Sequence, residues 1–88
     1  MQNSPLKTWR QNKKLSATKL ALLAHVSAQV IYASECGDRL TIHPNVLQII
    51  ERVDGPAVSR TVAQQYVSWR EAQGAAVLQE LTAAVAEG

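Results

Sequence analysis

Two serines eleven residues apart, Ser16 and Ser27, each open a run of alanine and aliphatic side chains within "LSATKLALLAHVSAQVIYASECG", residues 15 to 37. This spacing constrains the chain more than any other feature. It admits two short helices with a tight corner between them, or the apolar core of a secretion leader behind Lys13 and Lys14. A leader core is unbroken, whereas this run is interrupted by Ser16, Lys19, His25, Ser27 and Gln29. No stretch of 18 apolar residues occurs in the chain either. Secretion and membrane insertion are therefore not expected, and a cytoplasmic location is.

Helix grammar accounts for the run. Ser16 suits an N-cap, because its hydroxyl can accept from a free backbone N–H of the first turn. Leu20, Ala21 and Ala24 then share one helical face. Ser27 repeats the arrangement, and Val30, Ile31 and Ser34 give the following helix a narrow inward stripe. Between the two, His25 must turn the chain within about three residues, and histidine is among the residues enriched in the left-handed region where glycine is absent. Val26 then drops into the angle between the helices.

The flanking segments read as helices too. Ser4 and Pro5 cap and open a first helix carrying Leu6 and Trp9. Gly37 is suited to end the third. The loop "DRLTIH" follows, and Pro44 opens a fourth helix with Val46, Leu47, Ile49, Ile50 and Val53, ended by Gly55. From Pro56, Val58, Val62, Tyr66 and Trp69 recur at helical spacing. Gly74 is a candidate break before Val77, Leu78, Leu81 and Val85. No strand-like alternation or internal repeat appears, so the expected fold class is all-α, with a core drawn from Leu6, Trp9, Leu20, Val26, Ile31, Leu47 and Ile50.

At 88 residues the chain has room for one domain. Its charge is unevenly placed. Residues 1–40 carry six basic groups against Glu35 and Asp38, a net of +4, whereas residues 41–88 carry three against five acids, a net of −2. A basic first half suits a polyanion. Cys36 is the one cysteine, which excludes an intramolecular disulfide. His25, His43, Cys36 and Asp38 do not form a metal spacing, and no phosphate-cradling glycine loop or nucleophile elbow is present. No catalytic activity, metal or cofactor is expected.

The segment "LKTWRQNKKLSATKLALLAHVSAQVIYASECG" resembles, without a gap, the helix-turn-helix of the phage-repressor and Cro family of DNA-binding domains. The matching positions are Leu6, Arg10, Leu15-Ser16, Leu20-Ala21, Val26-Ser27, Ile31, Glu35 and Gly37, and the helix start at Pro44 fits as well. Ala17, His25 and Ser34 depart from it, standing where the family often has a phosphate-contacting glutamine, a corner glycine and a larger apolar residue. The resemblance covers residues 5 to about 55. It implies a compact four- to five-helix, lambda-repressor-like domain over residues 1–55, to which the helical spacing from Pro56 adds an extension over 56–88.

The resemblance also implies roles. Helix two lies across the backbone of double-stranded DNA and helix three enters the major groove. Ala28, Gln29, Tyr32 and Ala33 then face bases, and the Gln29 amide can pair with adenine. Lys13, Lys14, Thr18, Lys19, Ser27, Arg39 and Thr41 fall where phosphate contacts are expected. Arg10 and Glu35 stand where the family has an ion pair linking helices one and three. The implied activity is that of a sequence-specific transcriptional regulator, a repressor acting as a homodimer.

Residues 56–88 lie outside the resemblance. Tyr66 and Trp69 are expected to fold back onto the domain. Val77, Leu78, Leu81 and Val85 are expected to pair with a second copy, since two-fold pairing is the commonest oligomer. The competing reading is a protein-interaction module, such as an antitoxin, whose C-terminal helix captures a protein partner.

Overall fold

Pro5, Pro44 and Pro56 each open a helix, the position at which the missing proline N–H removes nothing and the fixed φ is already helical. The computed structural model describes residues 3–87 and contains five helices. These are α1 (Pro5–Asn12), α2 (Ala17–Ala24), α3 (Ala28–Cys36), α4 (Pro44–Asp54) and α5 (Pro56–Glu87). The described residues contain no strand, and the fold is all-α as expected.

Local chemistry sets the helix ends. Ser4 Oγ accepts from the Lys7 amide at 3.3 Å, and Ser16 Oγ from the Lys19 amide at 3.1 Å. His43 caps α4 through Nδ1, which accepts from the Asn45 amide at 3.0 Å. His25 holds φ 55° and ψ 42°, the left-handed corner assigned to it, and Gly37 ends α3 at φ 82°. Lys14, in the α1–α2 turn, is a second non-glycine residue at positive φ.

Leu6, Trp9, Leu20, Ile31 and Ile50 are buried, as expected, while Val26 and Leu47 are half-buried against them. The core extends further than that list. Ile42, in the loop before α4, is buried, and so are Val46, Ile49, Val62 and Tyr66. Each large apolar side chain removed from water contributes about 1.5–3 kcal/mol. Ser34 lies fully buried on α3 because its hydroxyl donates to the Val30 carbonyl at 3.0 Å, which satisfies the polar atom within its own helix.

One expectation needs correction in α5. Gly74 does not break it: the helix is continuous over 32 residues. One interior glycine costs about 1 kcal/mol relative to alanine, and its neighbours Gln73, Ala75 and Ala76 are compatible with continuation. Tyr66 and Trp69 fold back onto the domain as expected, so that α5 helps to close the core. Val62 and Tyr66 belong to it, and Ser59 Oγ donates to the Leu47 carbonyl at 2.9 Å. Residue 55 is thus a helix boundary without being a packing boundary. Beyond Gln73 the side chains as far as Val85 are exposed. At 1.5 Å per residue α5 is about 48 Å long, which matches the 50 Å long axis of the molecule. Its C-terminal half projects from the domain.

Candidate nucleic-acid interface

The inner side of α3 is fixed by burial. Ile31 and Ser34 are fully buried and Val30 is half-buried, so the helix has one permitted orientation about its axis. The opposite side consists of Gln29, Tyr32 and Cys36, all exposed. Ala33 is half-buried beside them. Ala28 is half-buried and packs against the core, which leaves only part of its methyl group for an outside partner.

Contacts from two other helices hold the C-terminal end of α3. From α1, Arg10 Nη2 and Nε donate to Glu35 Oε1 at 2.6 and 3.0 Å. Both donors converge on one oxygen instead of meeting the carboxylate fork to fork. Arg10 Nη1 donates to the Leu15 carbonyl at 3.0 Å, tying the α1–α2 turn to the same group. The pair is well covered, with side-chain exposures of 14% and 6%.

From α5, Arg70 Nε donates to the Gly37 carbonyl at 2.9 Å, and the Tyr66 hydroxyl to the Arg39 carbonyl at 2.7 Å. Burial pushes the Tyr66 hydroxyl above its ordinary pKa and keeps it protonated as a donor. The Trp69 ring lies over Gly37, close enough that a Cβ there would meet Cζ3 at 3.2 Å. Tyr66 and Trp69 stand 5.8 Å apart, tilted by 38°.

The corner between α2 and α3 is pinned by Asn45, whose Nδ2 donates to the Ala24 carbonyl at 3.0 Å. The α2 C-terminus thereby gains a partner for one of its orphan carbonyls. Ser27 at the start of α3 makes no side-chain cap bond. Its exposed hydroxyl and the adjoining first turn, at the positive end of the helix dipole, remain available to an anion.

The remaining candidates separate into groups. Lys14, Thr18, Lys19 and Thr41 are exposed. Lys13 is engaged: its Nζ donates to Asp54 Oδ1 at 2.7 Å, and the same carboxylate accepts from Trp9 Nε1 at 2.7 Å. These bonds, Lys13 first, hold the Asp54 carboxyl below its ordinary pKa. Lys13 therefore ties α1 to the end of α4. Arg39 is half-buried, and its Nε is covered without a hydrogen-bond partner among the described residues.

Sequence reasoning missed Tyr66 and Arg70 as residues that position α3, and His43 and Asn45 as those that set α4 against α2. The apolar spacing of α5 announced an inward face but not the carbonyls it would reach. Among the described residues no three His, Cys, Asp or Glu side chains gather to hold a metal, and no helix is long and apolar enough to cross a membrane. No protein-family model, curated protein or solved structure matches the chain.

Proposed function

We propose that this chain is a sequence-specific double-stranded-DNA-binding regulator of transcription, a repressor that acts as a homodimer with α3 in the major groove. One observation carries the reading. A short helix is clamped at its far end by Arg10, Tyr66, Trp69 and Arg70, while its exposed side and first turn carry Gln29, Tyr32 and an unengaged Ser27. A rigid helix with a free outer face is what reading base edges requires. The surplus of positive charge in residues 1–40 supports the same partner.

In this reading Gln29 bonds adenine, Tyr32 contacts a base or phosphate, and Ala28 and Ala33 offer methyl contacts. Lys14, Thr18, Lys19, Ser27, Arg39 and Thr41 hold phosphates, with Lys13 adding charge near them. Because α3 is poor in hydrogen-bonding groups, DNA shape carries part of the specificity. A homodimer places two copies of α3 about 34 Å apart, or a multiple of that, along one face of the duplex.

The exposed stripe Val77, Leu78, Leu81 and Val85 favours a second reading, in which the helix captures a different protein as an antitoxin does. Selection of bound duplexes from a random pool, followed by Gln29→Ala, tests the DNA reading. The substitution should cost about 1–3 kcal/mol on the selected site and little on random DNA. An equal loss on both removes Gln29 as a reader.

A further inference from the structure

An open groove of about 700 Å³ runs between the start of α1, the end of α3 and the middle of α5. Trp69, Tyr32 and Val77 give it an apolar lining, and Lys7, Arg10 and Arg70 a cationic one, with Glu35 already paired to Arg10. Next to it α5 projects with Val77, Leu78, Leu81 and Val85 54–79% exposed. Such a stripe on a protruding helix marks an interaction surface.

The groove and the stripe cannot satisfy each other within one chain. Trp69, Arg70, Gln73, Gly74 and Val77 line the groove and Val77, Leu78, Leu81 and Val85 carry the stripe, on one unbroken helix. Folding the tail into the groove would require breaking α5. The two surfaces are nevertheless complementary. No basic residue follows Arg70, whereas Glu71, Glu80 and Glu87 do, so the tail is apolar and acidic where the groove is apolar and basic.

We propose that the α5 tail of a second copy of this chain enters the groove along its α5 side, running antiparallel to Trp69–Val77 of the first and leaving Tyr32 of α3 to the duplex, and the reverse. The proposal rests on the homodimer reading above and names the surface through which the copies join. With Leu81 of one copy opposite Arg70 of the other, the two-fold axis passes close to residues 75 and 76. There the helices meet at Gly74, Ala75 and Ala76, three consecutive small residues. A Cβ on Gly74 has nothing within 4 Å in the single chain, so the domain's own packing gives no reason for a glycine there. Close approach of a second helix at the axis supplies one. Glu80 of each copy then lies near the Arg70 and Lys7 edge of the other groove.

Cys36 lines the groove and is the sole cysteine, which makes the arrangement testable by disulfide trapping. Leu78→Cys, Leu81→Cys and Val85→Cys are introduced one at a time into the full chain and oxidised mildly, and the linked peptides are mapped by mass spectrometry. The expected product, strongest for Leu81→Cys, joins the new thiol of one copy to Cys36 of the other. Bonds between two copies of the new thiol are not expected. Two residues 81 in this arrangement lie about 16 Å apart along the helix axis at 1.5 Å per residue, beyond the roughly 7 Å between Cα atoms that a disulfide spans.

A predominance of bonds between identical new thiols would show a parallel pairing of tails and overturn the groove assignment while leaving the homodimer standing. A monomer by sedimentation at tens of micromolar would remove both, without bearing on whether α3 binds DNA. Gly74→Leu provides a second measurement that does not depend on trapping. It should leave the helix content unchanged or higher, because leucine is the better helix former, and weaken self-association at least tenfold. Unchanged association in that variant overturns the antiparallel crossing.

Discussion

Replacing Gly37 by alanine attacks the point at which α5 closes over the end of α3. Two penalties act there. The backbone stands at φ +82°, where a Cβ costs about 1–2 kcal/mol. The new methyl would also lie 3.2 and 3.3 Å from Cζ3 and Cη2 of Trp69. The ring must give by a few tenths of an ångström, and it is already packed beside Tyr66 and the core. Crowding of this degree adds on the order of 1 kcal/mol. The total, about 2–3 kcal/mol, corresponds to a fall in Tm on the order of 10–20 °C for a domain of this size.

Urea unfolding followed by circular dichroism measures the loss, at one fixed protein concentration because self-association would otherwise shift the curve. A double-mutant cycle with Trp69→Leu separates the two penalties. Removing the ring relieves the crowding, so the double variant should be about 1 kcal/mol less destabilised than the sum of the single ones. Additivity within about 0.3–0.5 kcal/mol would refute the claim that Trp69 presses on Gly37.

Two further predictions concern the ion pairs. Arg10→Met or Glu35→Leu alone should cost roughly 1–3 kcal/mol, since each leaves a covered charge unmatched, and the pair together should cost less than the sum; no coupling in that cycle contradicts the pairing. Asp54 has a depressed folded pKa, so its contribution is present above its ordinary value of 3.8 and is lost as the pH falls through the lower folded value. Asp54→Asn should therefore weaken the protein at neutral pH and flatten its acid unfolding limb below about pH 4, and an unchanged acid limb would deny the carboxylate that role.

What could be read from the sequence was what neighbouring residues decide. Ser4, Ser16, His25, Gly37 and the three prolines act within a turn of themselves, and each stands where local grammar places it. Ile42 escaped because it lies in a loop, where no periodicity marks a residue as inward. Asp54 gathers Trp9 and Lys13 across more than forty residues of chain, and no spacing rule reports such a contact. Gly74 misled because a glycine reads as a break when only the chain is considered, although one glycine among good helix formers costs too little to stop a helix. At the candidate site the exposed side of α3 followed from its buried side. The bonds from Tyr66 and Arg70 did not, since they end on backbone carbonyls that carry no sequence signal.

The central claim, that α3 serves a duplex, is tested most directly by the salt dependence of affinity for a duplex selected from a random pool. Lys14, Lys19 and Arg39 give three candidate cations in each copy. For six phosphates neutralised by a dimer, the affinity should fall about a thousandfold between 50 and 200 mM salt, linearly in the logarithms. An affinity that barely changes over that range, or no duplex enriched at 50 mM, would contradict the account and leave the C-terminal helix, as a captor of protein, the better description.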